Sequence, residues 1–171
     1  YKEIKEYLQK KGYEFLSETD TEVIAHLLDY YYKGNPLEAI TKVLGRVRGS
    51  YALGILFQEN PGVMYAVSKD SPLIIGKSAQ GNFIASDVPA ILKYTKTVCY
   101  IDDREIAEIT ADSIRFYDVD TLAPYAVKAD QMLTYEAHML WLTILEKCKD
   151  KSERIKLDVS PRKLVLEQGA I

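Results

Sequence analysis

Residues 19–22, with the sequence TDTE, carry polar side chains whose spacing could start a helix or bind a small charged ligand. Thr19 and Glu22 match the S/T-x-x-E capping box, in which the hydroxyl and the carboxylate each accept a backbone N–H at a helix start. Asp20 could instead offer its carboxylate to the α-ammonium group of an amino-acid ligand. Acidic residues at helix starts also complement the helix dipole. Asp20 is therefore a candidate ligand-binding residue, with a helix-starting role as the alternative.

The two histidines, His26 and His138, are the side chains best suited to acid–base or metal chemistry near neutral pH. His26 falls away from the apolar stripe of Val23, Leu27 and Tyr31 on a predicted helix, which predicts a solvated position. His138 has no acidic or thiol partner three or four residues further along. Two histidines and two distant cysteines do not form a zinc set. We therefore predict no metal site and no other cofactor.

The two cysteines, Cys99 and Cys148, lie in apolar stretches of the sequence. A thiol in such surroundings usually behaves as a small buried hydrophobic group with a raised pKa. We expect neither cysteine to be reactive, and we assign no catalytic residue in this chain.

The tripeptide at residues 76–78, GKS, is similar to the end of a phosphate-binding loop. That loop requires a further glycine five residues before Gly76, where Ser71 stands, and a helix after it. Neither requirement is met, because the following residues are typical of a hairpin connection. We interpret residues 76–82 as part of a β-hairpin.

Composition and charge exclude several functional classes. The chain has 171 residues with 22 Lys and Arg against 25 Asp and Glu, and 47% of the residues are hydrophobic. This is ordinary for one globular domain, and it lacks the basic excess that nucleic-acid binding requires. The longest apolar run is far shorter than the about 20 residues of a membrane span. We expect no nucleic-acid or membrane partner and a cytoplasmic location, and the helix-like start at Tyr1 suggests a piece of a longer polypeptide.

The hydrophobic periodicity changes along the chain from helical to extended. Helical spacing predicts helices at residues 1–11, after residues 17–20, and from Pro36 to Leu44. A further helix is expected at residues 129–149. Because the first three helices precede the strands, the pattern favours an α+β domain with antiparallel strands over a doubly wound parallel sheet. Short β-prone runs are predicted at residues 49–57, 63–67, 73–75, 82–85, 97–101, 105–109 and 113–117, with a helical turn at 88–92.

Residues 17–26, with the sequence SETDTEVIAH, closely resemble a segment of the glutaminase domain of the glutamine–fructose-6-phosphate aminotransferase (isomerising) family, also called glucosamine-6-phosphate synthases. Further blocks resemble that family in the same order. They are RGSYA at residues 48–52, SPLIIG at 71–76, NFIASD at 82–87 and IAEI at 106–109.

The resemblance implies a class II glutamine amidotransferase domain with the N-terminal nucleophile fold. This fold is an αββα sandwich with antiparallel sheets, and this chain would hold its second half, the N-terminal part missing. In the family, an N-terminal cysteine attacks the glutamine amide, with its own α-amino group as base. The ammonia then serves glucosamine-6-phosphate synthesis from fructose-6-phosphate in a sugar isomerase domain of the same polypeptide. Asp20 matches the residue that receives the α-ammonium group of glutamine.

The departures from the family pattern define the expected domain organisation. In family members, a segment ahead of the position of Tyr1 carries the nucleophilic cysteine, the arginine that holds the glutamine carboxylate and the Asn-Gly of the oxyanion hole. We predict a partial amidotransferase domain at residues 1–120 and a divergent helical tail or linker at 121–171. The chain would then be part of a glutamine-hydrolysing domain, inactive by itself. The alternative is a non-catalytic remnant or interaction module that retains the fold, and a homo-oligomer is possible in either case.

Overall fold

A computed structural model describes residues 1–126 and 132–134 of the chain. The chain divides into two compact units, Tyr1–Gly49 and Ser50–Ile171. We call them the helical unit and the sheet unit, and each is described by itself. None of the helices in the described part of the chain has the length and hydrophobicity of a membrane-spanning segment.

The helical unit contains three helices, α1 (Lys2–Gln9), α2 (Asp20–Tyr31) and α3 (Pro36–Leu44). The start of α3 shows why the sequence ends one helix and begins the next. The side chain of Asn35 accepts the N–H groups of Leu37 and Glu38, and Pro36 occupies a first-turn position where no N–H is needed. All three helices agree with the periodicity in the sequence.

The apolar stripes of these helices form the buried part of the helical unit. Of the stripe predicted for α2, Val23 and Leu27 are buried and Tyr31 is only partly buried, while Leu28 is buried beside them. Spacings of three, four and seven residues place such side chains on one face of a helix. The other buried residues of the unit are Leu8, Ala39, Ile40 and Val43.

The sheet unit contains two antiparallel sheets. One has five strands in the order β1-β2-β6-β7-β8, and the other has four in the order β4-β3-β5-β9. In chain order the described strands are β1 (Tyr51–Leu56), β2 (Met64–Lys69), β3 (Ile74–Ser78), β4 (Gly81–Ala85), β5 (Thr97–Tyr100), β6 (Glu105–Ile109), β7 (Ile114–Asp118), β8 (Pro124–Ala126) and β9 (Met132–Thr134).

The core of the sheet unit draws on both sheets. Alternate residues of a strand point to opposite faces, so the inward positions of the two sheets can form one apolar cluster. At β1, a Cβ atom added to Gly54 would lie 2.6 Å from Cδ1 of Ile84 on β4, so this glycine leaves room for the isoleucine. The buried members of the cluster are Ala66, Leu73, Ile75, Cys99, Ile101, Ala107, Ile109 and Phe116.

The α+β class with antiparallel sheets is confirmed, and so are all seven predicted strand runs and the helical turn, a short 3₁₀ helix at Pro89–Ile91. Two short strands were not predicted. At Met132–Thr134 the expected helix is wrong, because these residues pair with β5 instead. The unpaired edge of a neighbouring strand stabilises such a segment, and local periodicity does not reveal it. The rest of the predicted helix, including His138 and Cys148, lies outside the described residues.

Candidate functional site

Asp20 lies in the first turn of α2 with its side chain exposed to solvent. The residue before it, Thr19, is the N-cap, and its hydroxyl accepts the N–H of Glu22 at 3.4 Å. Among the described residues, the Asp20 carboxylate accepts one long hydrogen bond, of 3.5 Å, from the hydroxyl of Thr21. The carboxylate therefore lies at the helix start, and within the unit most of its hydrogen-bond acceptor positions have no donor.

The capping box is confirmed for Thr19 but not for Glu22. The Glu22 carboxylate does not accept the N–H of Thr19, which donates to the hydroxyl of Ser17 at 3.2 Å. Instead, the carboxylate reaches further back along the chain. It accepts the N–H groups of Leu16 and Ser17, each at 2.7 Å, and the Ser17 hydroxyl at 2.5 Å. Glu22 thus binds the first two residues of the turn before α2, which comprises residues 16–19.

These hydrogen bonds lower the pKa of Glu22. The hydroxyl of Ser17 contributes most and the N–H of Leu16 next, because both stabilise the ionised carboxylate. Together they bring the pKa from its ordinary value of 4.5 to about 2. The carboxylate is therefore ionised over the whole physiological range of pH.

This lowered pKa predicts an acid-dependent stability of the helical unit. Because the pKa of Glu22 is about 2 in the folded chain and 4.5 ordinarily, its stabilisation is present above pH 4.5 and is lost as the pH falls toward 2. Urea unfolding of wild type and Glu22→Gln at several pH values should show a difference that shrinks on acidification. Glu38→Gln, at the matching third position of α3, is the control. A constant difference between wild type and Glu22→Gln from pH 7 to pH 2 would contradict the prediction.

His26 lies in an aromatic environment rather than in solvent, so the predicted solvated position is wrong. Its side chain is 27% exposed, with ring centroids 4.7 Å from Phe15 and 5.2 Å from Tyr13. Its Nε2 atom is 3.6 Å from Oε1 of Glu22. The helical amphipathicity of α2 alone did not reveal this, because the aromatic residues come from the segment before the helix. The i, i+4 spacing of Glu22 and His26 was the available signal for their contact.

The other candidates from the sequence have structural roles. Cys99 lies on β5, fully buried in the core of the sheet unit. Lys77 and its neighbours belong to β3, and the Ser78 hydroxyl donates to the carbonyl of Gly81 at 2.9 Å, as in the predicted hairpin. A Cβ atom on Gly76 would lie 2.6 Å from Cδ1 of Ile91, so the glycine serves packing. Among the described residues, no three His, Cys, Asp or Glu side chains group as metal ligands.

Sequence comparisons relate this chain to amidotransferases. A family model described as the glutamine amidotransferase domain matches residues 1–93. The glutamine–fructose-6-phosphate aminotransferase (isomerizing) of Caldanaerobacter subterraneus is 56% identical over 119 residues, and those of Clostridium acetobutylicum and Aquifex aeolicus are 54% identical over 117 and 45% over 120. These matches include 68–70% of this chain and 19–20% of each relative. The chain thus spans about a fifth of the length of the curated relatives it matches.

Two solved structures have a similar fold. The glutamine phosphoribosylpyrophosphate amidotransferase of B. subtilis, complexed with ADP and GMP, superposes with a TM-score of 0.61 and 22% identity over 70% of this chain and 27% of its own. An allosteric regulatory enzyme of purine biosynthesis gives a TM-score of 0.60 and 21% identity over 70% of this chain and 26% of its own. At these identities the similarity shows the fold, which is that of the N-terminal nucleophile amidotransferases.

Proposed function

This chain belongs to the glutamine amidotransferase domain family, and from that premise we propose that it forms the part of a glutaminase domain that binds the α-ammonium group of glutamine. The observation that carries the proposal is the exposed carboxylate of Asp20 in the first turn of α2. It belongs to the segment that resembles the glutaminase domains, and curated relatives with up to 56% identity bear the name of a glutamine-using aminotransferase.

The electrostatics of a helix start explain why a carboxylate is needed there. The N-terminal end of a helix carries a partial positive charge, which disfavours an ammonium group. The carboxylate of Asp20 reverses the local sign, and the ionised Glu22 and the nearby Glu18 add negative charge. An ammonium ion can then donate a charge-assisted hydrogen bond to Asp20. The arrangement suits an amino acid rather than a phosphate or carboxylate at this position.

We propose that the complete reaction needs groups beyond those of this chain. It has two cysteines, of which Cys99 is buried and Cys148 lies outside the described residues. We therefore propose that the nucleophile comes from another segment, as the resemblance implies. The products would be glutamate and ammonia, and the ammonia would serve amination of fructose-6-phosphate by a sugar isomerase domain of the same polypeptide. Cytoplasmic location and homo-oligomer formation stay predictions.

A segment exchange tests the proposal. In the Caldanaerobacter aminotransferase, the 119-residue matching stretch is replaced by that of this chain, and ammonia release from glutamine is measured. We expect the exchanged enzyme to keep glutaminase activity, and the 171-residue chain alone to release no ammonia above its Cys99→Ala variant. A folded but inactive exchanged enzyme would favour the alternative of a non-catalytic remnant. Ammonia release by the isolated chain that disappears in Cys99→Ala would contradict the absence of a nucleophile here.

A further inference from the structure

We propose that Glu22 is a positioning residue for Asp20, holding the turn before α2 so that the Asp20 carboxylate meets the α-ammonium group of glutamine. This inference rests on the proposed function. It assigns to Glu22 an effect on glutamine recognition in addition to its place in the first turn of a helix.

The contacts of the two side chains differ in a way that supports this division of roles. Asp20 is exposed, and within the described residues its carboxylate accepts a hydrogen bond only from Thr21, at 3.5 Å. Its position therefore depends on the backbone that carries it. Glu22 is 18% exposed and accepts three short hydrogen bonds from Leu16 and Ser17. Because Glu22 is on α2 and its donors lie at the start of the turn, these bonds connect the two ends of the turn.

The turn is held at further points that do not replace Glu22. The Ser17 hydroxyl lies 2.8 Å from that of Thr19 and accepts the Thr19 N–H at 3.2 Å. Lys5 of α1 donates to the carbonyl of Ser17 at 3.2 Å. Each of these three contacts involves Ser17, whose N–H and hydroxyl both donate to the Glu22 carboxylate. Loss of the carboxylate would therefore release the residue on which the other contacts converge.

The turn requires a carboxylate on a side chain as long as that of Glu22, because both carboxylate oxygens accept hydrogen bonds from the turn. Oε1 accepts the N–H of Leu16, and Oε2 accepts both donors of Ser17. In Glu22→Gln one oxygen becomes an NH₂ group, which would face an N–H donor instead of accepting from it. In Glu22→Asp the side chain is shorter by one methylene. Neither substitution can reproduce the full set of hydrogen bonds.

The test uses the exchanged Caldanaerobacter enzyme with Asp20→Asn, Glu22→Gln and the double variant. Displacement of a binding group by about 1 Å can lower a rate by the order of 100-fold, so Glu22→Gln should lower kcat/KM for glutamine about 10- to 100-fold. The loss should be in KM more than in kcat. The double variant should be no worse than Asp20→Asn, because Glu22 acts through Asp20. With glutaramate, which lacks the α-amino group, the effect of Glu22→Gln should disappear.

Glu38→Gln is the matched control. Glu38 occupies the third position of α3, as Glu22 does in α2, and its substitution removes the same charge. Its glutamine kinetics should equal those of the exchanged enzyme. If Glu22→Gln does not fold, Ser17→Ala keeps the N–H bonds of Leu16 and Ser17 to Glu22 and removes the 2.5 Å hydroxyl bond together with the two Ser17 hydroxyl contacts to Thr19. It should shift KM in the same direction by a smaller factor. Multiplicative losses in the double variant, an equal loss with glutaramate, or unchanged kinetics of Glu22→Gln would each overturn the inference.

Failure of the proposed function gives a different result. In that case Asp20→Asn itself leaves glutamine turnover unchanged. Amide hydrogen exchange at Leu16 and Ser17 in the 171-residue chain then tests the positioning role of Glu22 separately from glutamine binding by Asp20. Protection that Glu22→Gln removes and Glu38→Gln keeps would show that Glu22 holds the turn while Asp20 binds no glutamine. No change in protection would overturn the positioning role directly.

Discussion

Replacement of Asp20 by Asn in the exchanged Caldanaerobacter enzyme is expected to lower kcat/KM for glutamine about 30- to 150-fold. The change removes the charge from a hydrogen bond to the substrate ammonium group, and such a bond is worth on the order of 2–3 kcal/mol once the bound substrate excludes water from it. That energy corresponds to the stated rate factor. Steady-state kinetics of ammonia release, with glutamine as the varied substrate, measures it directly.

Stability should barely change in the same variant, which separates ligand binding from helix capping. The N-cap of α2 is Thr19, so Asp20 is not the capping side chain, and Asn in the first turn leaves the Thr19 hydrogen bond in place. Glu38→Gln is the control, since Glu38 is an exposed carboxylate in the first turn of α3 whose 4.0 Å ion pair with Lys42 is a weak surface contact. Unchanged glutamine kinetics of Asp20→Asn, beside normal melting, would show that Asp20 only complements the helix dipole.

Phe116→Ala is expected to lower the free energy of unfolding of the 171-residue chain by about 3–5 kcal/mol. The side chain on β7 is 0% exposed and stacks on Tyr125 with ring centroids 5.8 Å apart. Truncation would leave a cavity in the apolar cluster shared by the two sheets, because rigid strands close around a lost side chain only in part. Urea unfolding followed by circular dichroism measures the loss.

Two further variants show whether the loss of stability in Phe116→Ala comes from the cavity in the core. Phe116→Leu keeps most of the buried volume and should be less destabilising than Phe116→Ala. Arg115→Ala, at the neighbouring exposed position, should change the stability by less than about 1 kcal/mol, because its 3.9 Å contact with Glu108 is a surface ion pair. Equal and small losses for Phe116→Ala and Arg115→Ala would mean that the two sheets do not enclose a packed core.

The elements that the sequence predicted are those governed by local periodicity. The stripe of α2, the Pro36 start of α3 and the hairpin between β3 and β4 depend on neighbours within a few residues. The strand β9 depends on a partner more than thirty residues away along the chain, since Met132 pairs with Cys99. A helix was predicted there because the local pattern carries no information about an available sheet edge.

The candidate site divides in the same way between sequence and tertiary structure. By itself, the sequence determined the Thr19 cap and the acidic character of the helix start, and through its resemblance to the glutaminase domains it predicted Asp20 as a ligand residue. Tertiary structure alone decided where the Glu22 carboxylate points and which rings surround His26. The physical reason is that these contacts depend on the path of the chain before the helix. Spacing within α2 indicates His26 as a neighbour of Glu22, whereas the donors Leu16 and Ser17 are brought to it only by the folded segment before the helix.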